Sequence, residues 1–387
     1  MKLPTTIDCT IIGGGIVGVA TAYELARAGI RSLVLESGAI GSGVSGASLA
    51  ALAAHALARV EDLPVITAAG RRWAELEAEI GESFEYRRQG QLRLINDVDD
   101  IDRFAALVAE HQALGAPLEL LDQATLRTLV PTLGPTAAMA AAYSPDDASV
   151  NALRAVNALS IAAARAGAII ASGCHVTDLT STGSGGVIVS TGAGKISSDW
   201  VVLATGPWTN AVLEPLGVNL PLEARRARCA VTEPLPALLA PIISGVETGA
   251  GLGIGEGYFQ IQQTQSGHLL FNTVVDSALD DTTELHQQGV DESFMVASSR
   301  TLARLLPATG TARFLRSWAA VEAWTPDRRF LCGPLESHPQ VIIAAGDSGS
   351  GFLRAPLLGG LVRDALLGRA PGPEVAMFAP DRFASAC

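Results

Sequence analysis

Asp8-Cys9-Thr10-Ile11-Ile12-Gly13-Gly14-Gly15-Ile16-Val17-Gly18 decides the fold. Residues 8–12 read as a short buried strand that the glycines interrupt. Residues 16–28 carry apolar side chains at helical spacing, and Gly29 is placed to cap the helix end. Ser32–Glu36 is a second strand. Strand, turn, helix and strand in about thirty residues make a βαβ unit, which belongs to a parallel sheet. The glycines have separate tasks. Gly13 permits the tight turn, Gly15 lets the backbone approach a pyrophosphate, and Gly18 lets the helix lie close to the strand. A pyrophosphate then meets the helix N-terminus, where unpaired N–H groups and the dipole favour negative charge. Glu36 ends the second strand, where its carboxylate suits ribose hydroxyls and repels a 2′-phosphate. The motif serves FAD and NAD alike.

Outward from this unit, 64–81, 99–114, 122–130 and 151–166 read as helices. Gly90–Ile95, 168–171, 187–191 and Val201–Ala204 read as strands. Residues 226–233, 258–263 and 268–275 suggest antiparallel strands, the last two joined by the hairpin signal Ser266-Gly267. Val341–Ala345 is another buried strand, followed by the glycine-rich 346–351 and a helix over about 356–368. The βαβ-type pieces at the start, middle and end imply an α/β, Rossmann-type dinucleotide-binding domain whose parallel sheet is discontinuous in sequence. A mainly antiparallel α+β domain is inserted into it. The boundaries drawn are 1–85, 145–215 and 315–387 for the first, and 86–144 and 216–314 for the second.

Composition narrows the function classes. The 387 residues suffice for two or three folded units, and 48% hydrophobic against 17% charged residues excludes a disordered chain. A net charge of −12 argues against wrapping nucleic acid. No run of about 18 apolar residues predicts a spanning helix. Five scattered cysteines with no C-x-x-C pair argue against a disulfide framework, a zinc site or an iron–sulfur cluster. No metal is expected, and the reducing cytoplasm is the expected compartment.

Four segments together resemble the D-amino-acid oxidase superfamily, which includes glycine oxidase and sarcosine oxidase. Ile11–Gly18 with Leu35-Glu36 resembles its N-terminal FAD motif. Gly41-Ser42-Gly43-Val44-Ser45-Gly46-Ala47-Ser48 resembles the small-residue loop around the flavin diphosphate. Val201–Trp208 resembles its mid-chain strand beside the cofactor, and Ala344–Phe352 the C-terminal loop at the isoalloxazine. One departure stands out: Leu49–Ala54 replaces the usual Asn-Ala-Gly-Gly-like stretch. The resemblance implies FAD held non-covalently by Gly13, Gly15, Ile16, Val17, Gly18, Glu36, Ser37, Ser45, Ala47 and Ser48. Val176, Ala204, Thr205, Gly206, Trp208, Gly346, Gly349, Ser350, Gly351 and Phe352 complete that implied set. Arg228–Pro234 and Gln262–Gly267 look most like the FAD-bearing subunits of heteromeric D-hydroxyproline dehydrogenase, opine oxidase and sarcosine oxidase. That implies an electron-accepting partner subunit.

The implied reaction is oxidation of an amine or amino-acid C–N bond. Hydride passes to flavin N5 and water hydrolyses the imine. It needs no obligatory general base, which fits the scattered His55, His175 and His268. Where glycine oxidase carries a carboxylate-binding arginine this chain has Glu322, and where monomeric sarcosine oxidase carries a lysine it has Leu353. Glu322 reads either as a receiver for a cationic substrate group or as a surface or hinge glutamate. Arg354 reads as a substitute anchor or as a solvated or partner-facing charge. Tyr258, Gln260 and Gln262 share one face of an alternating strand, which lines the substrate cavity or faces solvent. No cysteine lies in 313–330 to attach the flavin, and Lys2 and Lys195 sit in no oxygen-activating motif, which favours a dehydrogenase. The alternatives are an FAD-dependent 2-hydroxy-acid dehydrogenase and a non-catalytic FAD scaffold subunit.

Overall fold

The computed structural model describes residues 2–53, 59–183, 185–246, 258–278, 285, 290–369 and 372–386. His55 lies outside them. Two eight-stranded sheets organise the described residues. In the first, Thr6–Ile12 pairs in parallel with Ser32–Leu35 on one side and with Gly194–Leu203 on the other. Ile169–Ala171 and Val341–Ala345 extend the parallel part, so its strands come from the start, middle and end of the sequence. Val176–Ser181, Val187–Thr191 and Leu331–Pro334 add antiparallel strands. The parallel strands Ser32–Leu35 and Val341–Ala345 are buried along their whole length, as a sheet covered on both faces requires. The helix Ile16–Arg27 packs between Ala152–Arg165 and Gly351–Leu366.

The second sheet runs in the order Phe314–Trp324, Glu223–Pro234, His268–Ala278, Tyr258–Gln263, Ile242–Val246, Gln91–Ile95, Ala140–Ser144, Glu119–Asp122. Its pairs are antiparallel except that of Ile242–Val246 with Gln91–Ile95. One face is apolar: Leu92, Leu94, Phe259, Ile261 and Phe271 pack with Phe294 of the helix Glu292–Leu305. The other face is largely polar and turns to the first domain. Phe314–Trp324 belongs to this sheet although all but its first residue lies beyond residue 314. We propose the same division of the chain with that strand moved to the inserted part.

The last long helix starts earlier than its sequence suggests. Pro356 reads as a helix start, yet the helix runs Gly351–Leu366 with that proline inside it. Pro356 has no N–H for the carbonyl four residues before it, Phe352 O. The indole of Trp73 supplies the donor, with Nε1 3.0 Å from both Phe352 O and Leu353 O. Trp73 is fully buried and makes an edge contact with Phe84 and a stacked one with Phe352. Trp73→Phe keeps an aromatic ring and removes the donor. The expected loss is about 1–3 kcal/mol of unfolding free energy, read from denaturant midpoints. An unchanged midpoint would mean that the two carbonyls have another donor.

Candidate functional site

The first strand and helix build one end of the site. Gly13 has φ +106°, and a Cβ there would fall 2.3 Å from Ala204 O. A Cβ on Gly18 would fall 1.9 Å from Gly13 O. The chain's own packing forbids side chains at both. Gly15 is different: a Cβ there meets only Ser45 Oγ, at 3.0 Å. No side chain caps the helix at Gly15, and the Ile16 N–H donates to Ser45 Oγ at 2.9 Å. Glu36 Oε2 accepts from the Gly14 N–H at 2.8 Å and Oε1 from the Gly38 N–H at 2.7 Å. The Ser37 hydroxyl adds a bond of 3.2 Å. The carboxylate is thus fixed in direction and keeps lone pairs for hydroxyl donors. Cys174 N–H donates to Glu36 O at 2.8 Å, which brings His175 and Val176 to the same corner.

Two further loops adjoin this cradle. Gly41–Ser48 passes beside Trp208, whose ring lies 3.7 Å from where a Gly43 Cβ would be. Ala204–Trp208 leaves Gly194–Leu203 through Gly206 at φ +54°. Thr205 Oγ1 lies 3.0 Å from Thr209 Oγ1. In the C-terminal loop Gly346 has φ +70°, and a Cβ there would sit 2.9 Å from Leu222 and Thr325. A Cβ on Gly351 would overlap the Asp347 carboxylate, at 1.8 Å.

The polar face of the second sheet meets these loops. The strand register puts Arg93, Ser244, Gln260, Asn272, Cys229 and Trp318 in one row across it. Tyr258 and Gln262 flank Gln260 on the same face, and Glu322 shares it on Phe314–Trp324. Gln262 is 3% exposed, so the face that alternation predicts is turned inward. The structure therefore puts Tyr258, Gln262 and Glu322 on one face, Tyr258 within reach of the Glu322 charge and Gln262 towards the other end of its strand, on Leu49 O. Arg354 is apart from them, 7% exposed, 5.3 Å over the Phe330 ring, with Nη1 donating to Asp347 O at 3.2 Å. His175 is exposed, and His268 Nδ1 lies 2.8 Å from Thr232 O.

Glu322 is half-buried and, among the described residues, receives one hydrogen bond, from Trp324 Nε1 at 3.1 Å. Its cross-strand neighbour Arg225 is engaged elsewhere, with Glu223 at 2.8 Å and over the Trp324 ring at 4.8 Å. Burial, then the charge of Asp347, push the Glu322 carboxyl up to about 7 against the pull of the Trp324 donor. Burial also raises Asp347, to about 6, opposed by the Arg354 charge and the Gly349 N–H. A Cβ on Gly349 would lie 3.4 Å from Glu322 Oε2, so the carboxylate borders the glycine loop. Burial raises the Tyr258 hydroxyl, opposed by the Arg93 guanidinium 5.2 Å from its ring and by Ser244. Asp347, Asn272, Cys229, Trp318 and Trp324 escaped the sequence reading. The even spacing of Trp318, Glu322 and Trp324 was the available signal.

The bare Gly15, a helix start whose first N–H meets only the Ser45 hydroxyl, and the braced Glu36 suit a dinucleotide with a pyrophosphate and a free ribose diol. Among the described residues no group of three or more His, Cys, Asp or Glu could hold a metal, and no helix is long and apolar enough to cross a membrane. The model of a family described as FAD dependent oxidoreductase, DAO, matches residues 8–365. Glycine oxidase of Geobacillus kaustophilus (strain HTA426) is 26% identical over 383 residues, 97% of this chain and 97% of that protein. One of the opine oxidase subunits of Agrobacterium tumefaciens (strain Ach5) is 26% identical over 358 residues, 89% of each. The crystal structure of L-proline dehydrogenase from P. horikoshii matches with a TM-score of 0.88 at 26% identity, over 99% of both chains.

Proposed function

Since the chain belongs to the DAO family of FAD-dependent oxidoreductases, we propose that it oxidises the C–N bond of an amine or amino acid that carries a cationic group. FAD, when bound, supplies the acceptor for the hydride that leaves the carbon beside nitrogen. The nitrogen lone pair closes the C=N bond, and water then hydrolyses the imine. In this reading Gly13–Gly18 and Ser45 hold the diphosphate, Glu36 the ribose, and the backbone at Val176 the adenine. Ala47, Ser48, Ala204–Trp208 and Gly346–Phe352 border the ring system. Glu322 receives the substrate cation and Asp347 adds to the local negative potential. Tyr258 and Gln260 line the polar wall. Arg354 acts on the Asp347 backbone.

The observation that carries this reading is the half-buried Glu322 carboxylate, on a polar sheet face turned to the glycine loop, with no cation bonded to it among the described residues. Relatives at this level of identity include an opine oxidase subunit, which supports assembly with a partner subunit. Lys2 and Lys195 are both exposed and on the surface, which supports transfer of electrons to a partner rather than directly to oxygen.

The purified chain is expected to be yellow and to release its flavin into the supernatant on acid precipitation. Among D-hydroxyproline, opines, sarcosine and proline mixed anaerobically, an opine with a guanidinium or ammonium side chain is the one expected to bleach the visible flavin absorption, because it adds a cationic group for Glu322. Flavin kept on the pellet would overturn the non-covalent reading. Bleaching by none of these amines, with a 2-hydroxy acid effective instead, would overturn the C–N assignment. Faster turnover with a dye acceptor than with oxygen is the expected mark of a dehydrogenase.

A further inference from the structure

Two side chains of the inserted sheet grip the small-residue loop by its backbone. Trp318 Nε1 donates to Ala47 O at 2.8 Å, and Gln262 Nε2 donates to Leu49 O at 2.6 Å. The next residue, Ala50, is fully buried and has φ +53°. That is the left-handed region, where a Cβ crowds the following carbonyl and residues other than glycine are disfavoured. The peptide between Leu49 and Ala50 is held at both ends: its carbonyl by Gln262, its N–H by Ser48 Oγ at 3.0 Å. Ala50 O in turn accepts from the Val150 N–H at 3.1 Å. An alanine stays in this conformation only where its surroundings impose it. Gln262 is too deeply buried to present its donor elsewhere without leaving Leu49 O.

We infer that Gln262 is a positioning residue: its amide clamps the Leu49–Ala50 peptide and keeps the left-handed Ala50, and so the shape of the flavin-bordering loop, in place. The inference rests on the reading that FAD occupies this cradle. It takes Gln262 out of direct substrate contact and makes the inserted sheet part of the cofactor site. Trp318 fixes the same loop two peptides earlier.

Gln262→Leu removes the donor at similar volume. Ala50→Gly removes the conformational cost that the donor opposes. Apoprotein of each single variant and of the double variant would be titrated with FAD by fluorescence, and the bound absorption spectra compared. Gln262→Leu is expected to weaken FAD roughly ten-fold and to shift the visible flavin bands, because the loop relaxes. Ala50→Gly alone is expected to stay within about three-fold of the unsubstituted chain. In the double variant glycine takes the left-handed shape unaided, so affinity and spectrum are expected to return. Gln262→Leu with normal FAD affinity and spectrum but a raised KM would overturn the inference in favour of substrate contact. Equal weakening with and without Ala50→Gly would overturn it too, as would insolubility in both backgrounds. Solubility only in the Ala50→Gly background would support it. An unsubstituted chain that binds no FAD would overturn the cofactor reading itself, an outcome distinct from any of these variant patterns.

Discussion

Gly15→Val is expected to yield a folded chain without flavin. Gly15 sits at φ −74°, ψ −179°, extended backbone that valine adopts readily. Its Cβ position meets only the Ser45 hydroxyl within the chain. Neither the turn nor the packing therefore excludes a side chain there, in contrast to Gly13 and Gly18. What a valine would block is the approach of a pyrophosphate to the helix N-terminus. Loss of that contact, with overpacking at the site, predicts FAD weakened by at least about a hundred-fold, or about 3 kcal/mol. The far-UV circular dichroism is expected to be unchanged and flavin absorbance absent after gel filtration. Full flavin occupancy in the variant would place the diphosphate elsewhere.

Glu322→Gln is expected to lower kcat/KM for a cationic substrate by roughly ten- to a hundred-fold at neutral pH, with FAD content unchanged. A charge-assisted hydrogen bond to a partly buried carboxylate contributes about 1.5–3 kcal/mol. The variant keeps the shape of the side chain and removes its charge. Burial pushes the free carboxyl up to about 7, so capture by the unsubstituted chain is expected to rise with pH through that region. Glutamine should abolish that limb. The same shift has a stability consequence of opposite direction. A carboxyl raised from 4.5 to about 7 in the fold binds its proton more tightly there than when unfolded. Its contribution to stability is complete below about 4.5 and is lost as pH climbs through about 7. The ligand-free chain should therefore become less stable over that interval, and Glu322→Gln should flatten the change. Kinetics indistinguishable from the unsubstituted chain at every pH would make Glu322 a structural residue.

The strand–turn–helix of the candidate cradle was legible in the sequence because its determinants are local. A glycine at a fixed offset, a strand before it and an acid after it specify Gly13–Gly18 and Glu36 without knowledge of the rest. Alternation in Tyr258–Gln262 likewise gave the correct common face. Which way that face points was not legible, because an inward polar face and a solvent-facing one have the same pattern. Only the contacts of Gln262 and Trp318 with Leu49 O and Ala47 O decide it. Pro356 misled for a related reason: the donor that compensates it sits on Trp73, far away in sequence. Asp347 was hidden inside a glycine run, where it read only as part of the C-terminal loop. Arg354 looked like a candidate anchor from its place beside the loop, and only its position over Phe330 shows where the guanidinium goes.

The parallel sheet sets a timetable for the newborn chain. The glycine motif around Gly13 leaves the ribosome well before the strand Val341–Ala345 and the helix Gly351–Leu366, which complete the sheet. At about 5–20 residues per second, the two are separated by roughly twenty seconds to a minute of translation. From the synthesis of Gly194–Leu203 until that of Val341–Ala345, the edge that the later strand covers is unpaired along Val201–Leu203. The face of Ile16–Arg27 that receives Gly359 against Ala20 O is bare as well. Cofactor capture is thus a late event, and an exposed strand edge waits for it, the kind of surface that chaperones cover and that other chains can join. A ribosome that stalls before residue 341 leaves a fragment with the nucleotide motif intact and the sheet unclosed, a product fit for degradation rather than for loading with flavin.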